Sequence, residues 1–408
     1  MKFIIKIKTA VILTTIFITF VMLFSISYAD ENVISAAGSP ININASSAIV
    51  MDMETGRVLF EKNAYVKRPI ASTTKIMTAI LAIENGNLDD EVTVSERACQ
   101  IWGSDIGLKP GEKLKLRDLL YGLMLNSGND AAIAIAEHIG GSLENFLDMM
   151  NEKARLIGAK NSSFKSPHGL DMEGHYSTAY DLALITRYAL ANPVFSEIVS
   201  TKTASIPGRN LYNTNEMLGL YPGADGVKTG YTGQAGRCLV TSATRNGWRI
   251  ISVVLNCPTK SARTQNSIKI LDYAFNNYKM YTLTEAGETV GYLPVNKGIE
   301  ESVPIVTTDK IVYPLTQEEA KRVKTKILLL DDIDAPVFGG VDAGYVIFTL
   351  DGKVIAETKL KVSKDVAKKD FNYYFQKTID EVRKFFKSLF SGLPGILFTH
   401  IYSCTPRM

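Results

Sequence analysis

The stretch Ala71-Ser72-Thr73-Thr74-Lys75-Ile76-Met77-Thr78-Ala79-Ile80-Leu81 decides how the rest of the chain is read. It opens as a polar turn and runs into an apolar segment that continues to Ile83. Hydroxyl side chains at a helix start satisfy exposed amide groups, and the run beyond Lys75 offers ample packing surface. The pattern predicts a helix with Ser72 at its N-terminus and Lys75 one turn further on. Residues three apart share a helix face, so the amine can approach the hydroxyl. A serine hydroxyl is a poor nucleophile alone, and an amine held neutral beside it can take its proton during attack. Helix-end amides would also favour negative charge developing nearby. Taken alone, the tetrapeptide reads more simply as a cap followed by a lysine that snorkels from a core helix.

Around this stretch the chain alternates in character. Residues 48–52 and 57–61 are short apolar runs about Met53-Glu54-Thr55-Gly56, a hairpin pattern with Gly56 at a turn position. Pro69 breaks the chain just ahead of the serine helix. Residues 92–94 read as a brief strand, and 116–125, 131–138, 143–156 and 181–190 as helices, the last ended by Asn192-Pro193. Beyond Ser205, Gly223-Ala224-Asp225-Gly226 reads as a turn and residues 227–229 as extended chain. Residues 239–244 and 248–255 are strands joined at Asn246-Gly247, and 264–275 is a closing helix. Strands, a helical insertion, strands and a last helix predict one α/β (mixed) domain over residues 30–280, a mostly antiparallel sheet flanked by helices. Residues 285–362 alternate short strands with turns and predict a small all-β domain, with the boundary near 278–284.

The two ends carry targeting signals. Lys2, Lys6 and Lys8 precede an uncharged run over residues 9–29 that ends in Ser27-Tyr28-Ala29. Small residues at the two positions a signal peptidase reads predict a cleaved leader, residues 1–29, and a folded part outside the cytoplasm. An uncleaved anchor is the competing reading, and the Ser/Asn/Ala-rich stretch that follows favours cleavage. At the other end, residues 363–391 set Phe371, Tyr374, Phe375, Val382, Phe385, Phe386 and Leu389 at helical spacing. Between 359 and 390 there are nine Lys/Arg against four Asp/Glu. An aromatic face opposite a basic one predicts a helix lying in the membrane interface against anionic lipid, with packing on the β domain as the alternative. Residues 392–408 are expected to be disordered.

The formal net charge of +3, without a concentrated Arg/Lys stripe in the main body, gives no nucleic-acid footprint. The four cysteines, Cys99, Cys238, Cys257 and Cys404, match no zinc pattern. Cys238 and Cys257 can fall on adjacent strands, and buried free thiols are at least as well supported as a disulfide. Four histidines in the whole chain leave little material for a metal site, and neither metal nor cofactor is expected.

Two further segments change the reading of Ser72 and Lys75. Ser127-Gly128-Asn129 lies where one helical segment ends and another begins, a place where flanking helices hold polar groups rigidly toward a cleft. The Asn129 amide can accept from a protonated lysine and donate to a substrate carbonyl, and Ser127 suits proton relay. Either can equally be an N-cap. Lys228-Thr229-Gly230 lies on an extended segment whose edge can pair with a peptide, with Gly230 leaving room for close approach. Lys228 near the serine would favour a neutral Lys75 by like-charge repulsion.

Ser-x-x-Lys, Ser-x-Asn and Lys-Thr-Gly in this order form the signature set of penicillin-binding proteins and serine β-lactamases. The chain resembles most closely the low-molecular-weight penicillin-binding proteins that are serine-type D-Ala-D-Ala carboxypeptidases. Residues 69–79, 122–132, Ser166-Pro167-His168-Gly169-Leu170 and 225–232 carry that likeness. The resemblance implies removal of the terminal D-alanine from peptidoglycan stem peptides, and acylation by β-lactam antibiotics. It implies Ser72 as nucleophile, Lys75 as general base, and Ser127, Asn129 and Lys228 as further catalytic residues. The backbone N–H groups of Ser72 and Tyr231 would form the oxyanion hole, and Lys228, Thr229, Gly230 and Arg263 would bind substrate, Thr229 and Arg263 near its carboxylate. His168 and His175 are expected to be structural. A β-lactamase would want a glutamate near Phe164 and Lys165, which is not there. A D,D-endopeptidase would use the same residues, and a non-catalytic wall-binding protein would not need them. The leader and tail together imply the outer face of the cytoplasmic membrane.

Overall fold

A computed structural model describes residues 41–390 of the chain. The expected leader (1–29), the tail (392–408) and Cys404 lie outside the described residues. The chain divides into two compact units, one holding residues up to 280 together with 314–320, the other 281–313 and the residues from 321 onward.

The first unit is built on a five-stranded sheet. Strands β1 (Ser47–Asp52) and β2 (Val58–Lys62) form the hairpin read from the sequence, with Gly56 at φ +72°. They are joined by β3 (Ala224–Thr232), β4 (Gly236–Arg245) and β5 (Trp248–Cys257) in the order β2-β1-β5-β4-β3, all antiparallel. The first strand of the domain thus pairs with its last, which closes the helical insertion into one body. Side chains alternate across a strand, and here both faces are buried. Ile49 and Met51 enter the core shared with the inserted helices, while Ala48 and Val50 enter a second core against α6 (Lys260–Asn277).

The insertion supplies α1 (Lys75–Asn85), α2 (Leu116–Leu125), α3 (Asn129–Gly140), α4 (Leu143–Ile157) and α5 (Ala179–Leu190). α1 is the central one: every residue from Lys75 to Ala82 is buried. An element apolar on all sides must be wrapped by others, which fixes the serine end of α1 inside the domain.

The structure departs from the sequence reading in this unit in places. Residues 224–226 are strand with a bulge, and only Gly223, at φ +84°, turns the chain. α5 ends at Leu190, ahead of Asn192-Pro193 as expected, but a further helix, Pro193–Ser200, starts there, with Asn192 accepting from Val194 and Phe195 N–H. A small hairpin, Thr203–Ile206 with Arg209–Tyr212, and a one-turn helix, Met217–Leu220, fill a stretch left unread. In agreement with the sequence, Cys238 and Cys257 are on adjacent strands and are buried free thiols.

The second unit is β-rich, as expected. Its sheet contains β6 (Thr289–Asn296), β7 (Ser302–Thr307), β8 (Lys324–Leu329), β9 (Asp342–Leu350) and β10 (Lys353–Val362), in the order β8-β9-β10-β7-β6, with a two-residue strand beyond β6. Val303, Ile305, Val346, Phe348 and Leu360 form its core. Helix α7 (Phe371–Phe390) follows, with Phe371, Tyr374, Phe375, Phe385 and Phe386 exposed. No helix among the described residues is long and apolar enough to cross a membrane.

Candidate active site

The Ser72 segment is wound more tightly than an α-helix start. Ala71–Thr74 form one 3-10 turn that passes directly into α1 at Lys75. Local hydroxyl bonds favour this: Thr73 Oγ1 donates to Ile70 O at 2.6 Å and Thr74 Oγ1 to Ala71 O at 2.8 Å. Ala71 itself is at φ +49°.

Lys75 is fully buried, and its amine nitrogen has three neighbours. Nζ lies 3.0 Å from Ser72 Oγ, 2.7 Å from Asn129 Oδ1 and 2.9 Å from the main-chain oxygen of His168. Burial, reinforced by the Lys228 charge and opposed by Asp130, holds the amine well below the usual lysine range. The expected convergence of hydroxyl, amine and amide is therefore present as geometry.

Asn129 begins α3 and is held from both sides. Its Nδ2 donates to Trp102 O at 2.8 Å and its N–H to Ser104 O at 2.7 Å. Asp130, also buried, accepts from the Ile106 and Leu108 N–H groups and straps the same loop to the helix start. Ser127 is buried in the left-handed region, φ +63°, which non-glycine residues adopt only when the surroundings impose it.

β3 passes along the other side and is the open edge of its sheet. Lys228 is buried, donates to Thr229 O at 3.2 Å, and is brought down to about 7 by burial and the Arg263 charge. Thr229 Oγ1 shares a hydrogen bond of 2.8 Å with Thr214 Oγ1. A Cβ on Gly230 would stand 3.0 Å from Ala71 Cβ and 3.1 Å from Ser72 N. The space that glycine leaves is therefore occupied by the serine turn itself, and β3 lies directly against it. Tyr231 is exposed, with the Arg237 guanidinium 3.6 Å from its ring centre. Arg263 is buried on α6 and gives Nη2 to both carboxylate oxygens of Glu216, at 2.6 and 2.7 Å.

Residues 166–175 buttress the serine turn. Gly169, at φ +86°, fits so closely that a Cβ there would stand 2.0 Å from Ala71 O. His175 Nδ1 accepts from Lys165 N–H, which leaves Nε2–H to donate to Thr74 Oγ1 at 2.9 Å. Burial brings His168 down to about 3 and His175 down to about 4, so both are neutral. Among the described residues no cluster of His, Cys, Asp or Glu is arranged to hold a metal.

Sequence reading missed three participants. The His168 main-chain oxygen, Thr214 and Glu216 all contact groups singled out above. A carbonyl has no residue-type signature. The polar run Asn213-Thr214-Asn215-Glu216 was the only available hint for the other two.

Comparison with known proteins gives a consistent result. A family described as D-alanyl-D-alanine carboxypeptidase matches residues 33–259, and one described as penicillin-binding protein 5, C-terminal domain, matches 278–368. The D-alanyl-D-alanine carboxypeptidase DacF of Bacillus subtilis is 38% identical over 352 residues, 84% of this chain and 90% of that protein. DacA of Haemophilus influenzae is 34% identical, covering 85% and 91%. The crystal structure of penicillin binding protein 5 from Haemophilus influenzae superposes with a TM-score of 0.71 at 33% identity, over 81% of this chain and 100% of that one. With a matching two-part architecture and one signature set converging on one turn, the chain belongs to the low-molecular-weight penicillin-binding proteins, the serine-type D-alanyl-D-alanine carboxypeptidase family.

Proposed function

We propose that this D-alanyl-D-alanine carboxypeptidase removes the C-terminal D-alanine from peptidoglycan stem peptides with Ser72 as nucleophile and Lys75 as general base. The observation that carries the assignment is the partner set of Lys75 Nζ. A neutral amine has two N–H bonds and one lone pair. Asn129 Oδ1 and the His168 carbonyl can only accept, so they take both N–H bonds. The lone pair is left to Ser72 Oγ, whose proton it receives as the oxygen attacks the carbonyl between the two D-alanines.

Charge then appears on that carbonyl oxygen, and the amides of Ser72 and Tyr231 are the proposed donors for it. Collapse breaks the peptide bond and leaves an ester on Ser72. The departing D-alanine nitrogen takes the proton that Lys75 received, relayed by Ser127 and Lys228. An amine brought down to about 7 exchanges protons readily near neutral pH. Water next attacks the ester and restores Ser72. The open edge of β3 offers backbone groups to the extended peptide, and Thr229 a hydroxyl to its carboxylate. Arg263, anchored to Glu216 through Nη2 and with its Nε–H unpaired, is the proposed partner of the same carboxylate. Penicillins acylate the same oxygen, their strained amide standing in for the dipeptide end.

The test is release of D-alanine from a stem peptide ending in D-Ala-D-Ala, followed beside labelling by a fluorescent penicillin. Both are expected in the native chain and neither in Ser72→Ala. Labelling that survives Ser72→Ala overturns the assignment.

The same reading places the enzyme at the outer face of the cytoplasmic membrane, held peripherally by α7. Exposed aromatic residues along α7, beside Lys377, Arg383, Lys384 and Lys387, support adsorption to anionic lipid. A chain ending at residue 370 is expected to leave anionic vesicles while keeping full penicillin labelling. Retention of the shortened chain on vesicles counts against the anchor.

A further inference from the structure

The second unit has one sheet edge that is apolar, exposed and charged in opposite senses at its two ends. β8 is the outermost strand, bonded on one side only, to β9. Ile327, Leu328, Leu329 and Leu330 are each between 37% and 49% exposed. Edge strands in soluble proteins are commonly short, broken or charged throughout, because open N–H and C=O groups invite another strand. Here the centre of the edge is four consecutive large aliphatic residues, preceded by Lys324 and Lys326 and followed by Asp331 and Asp332.

The backbone fixes which residues face outward. Leu330 N–H donates to Ala343 O at 3.0 Å, and a Cβ on Gly344 would stand 1.9 Å from Leu328 O. Even-numbered residues therefore direct their backbone groups inward, toward β9. Backbone direction alternates along a strand, so Thr325, Ile327 and Leu329 present theirs to the open side.

We propose that this edge pairs antiparallel with the same edge of a second copy of the chain, about a two-fold axis through Leu328. That register is self-complementary in backbone, side chain and charge. Ile327 of one copy falls opposite Leu329 of the other as a hydrogen-bonded pair, and Leu328 falls opposite itself as a non-hydrogen-bonded pair. Lys324 lies opposite Asp332 and Thr325 opposite Asp331, with Lys326 diagonal to Asp332. An unslipped parallel neighbour would instead set Lys against Lys and Asp against Asp. The charge order thus selects an antiparallel copy of this same segment, an isologous contact that closes on itself.

The register makes a sharp test possible. Non-hydrogen-bonded antiparallel pairs bring Cα atoms to about 4.5 Å, within disulfide reach. In the full chain in nonionic detergent, with Cys99 and Cys404 replaced by serine, Leu328→Cys is expected to form a covalent dimer under mild oxidant. Thr325→Cys, whose copy on the second chain lies six residues along the paired strands, is expected to form no covalent dimer on the same treatment. Cross-linking of neither variant, or of both equally, overturns the proposal. A second test uses charge. Lys324→Glu with Lys326→Glu, and separately Asp331→Lys with Asp332→Lys, should each sediment as monomers where the native chain is dimeric. Mixing the two should restore a dimer containing one of each. A native chain that sediments as a monomer at every concentration, or a mixture that does not associate, also overturns it.

Discussion

At the scale of single residues, the site depends on atoms that have no alternative partner. Asn129 Oδ1 supplies one of the two acceptors that orient the Lys75 amine. In Asn129→Ala that N–H loses its acceptor in a buried place, and the lone pair is no longer confined to Ser72. The acylation rate by penicillin is expected to fall by about 10²-fold or more, the usual scale for general-base assistance. Stopped-flow labelling measures this directly, and a rate within a few-fold of the native one would remove Asn129 from the proposed machinery. Gly169 makes a different case, because the constraint is on space. A methyl group there meets Ala71 O, and the backbone stands at φ +86°. Left-handed backbone alone costs a non-glycine residue about 1–3 kcal/mol, and the clash adds to it. Gly169→Ala is expected to lower the melting temperature and slow acylation together, since relief of the clash must move the serine turn. Thermal unfolding with and without bound penicillin separates the two effects.

At the scale of elements, what joins the parts of the site is the start of α3. Asp130 takes the Ile106 and Leu108 N–H groups and so fixes the loop whose Trp102 and Ser104 carbonyls hold Asn129. Asp130→Ala leaves those buried donors unmatched, a loss of about 1–3 kcal/mol for each group left unsatisfied. Lower stability in urea and a slower acylation are expected, and unchanged acylation would mean that the loop does not position Asn129. Much of this level was legible in sequence. α1, α2 and α4 carry long apolar periodicity bounded by Gly86, Asn126 and Gly158, so their limits could be read nearly to the residue. The hairpin at 203–212 could not, because strands of four residues hold too few alternations to stand out. Glycines at 223 and 226 suggested a turn where the chain makes a bulge, since glycine marks both. The motifs pointed to Ser72, Lys75, Asn129 and Lys228 by residue type, and the structure sets Ser72 and Asn129 against the Lys75 amine. The Arg263–Glu216 pair was invisible because it joins residues 47 apart through tertiary packing alone.

At the scale of the whole molecule, the site sets how stability responds to pH. A lysine in an unfolded chain titrates near 10.5, whereas Lys228 in the fold is brought down to about 7. Between those values the unfolded chain carries a proton that the folded chain does not, so acidification pulls toward unfolding and stability rises with pH. Below about 7 both states hold the proton and the destabilisation is present in full; above 10.5 neither does and it vanishes. Lys75 acts in the same sense over its own depressed range. His168 and His175, neutral down to about 3 and about 4 when folded, extend the trend into acid. These buried bases therefore shift stability toward alkaline conditions. Lys228→Met, which keeps the stem and removes the charge, isolates one contribution. Its urea midpoint is expected to exceed that of the native chain at pH 7, with the gap closing at up to about 1.4 kcal/mol per pH unit toward pH 10.5. A gap that stays constant from pH 7 to 10.5 would show that Lys228 is not held neutral by the fold. The shuttle proposed for it would then need another donor, because an amine of ordinary basicity would remain charged throughout the neutral range and pass no proton on.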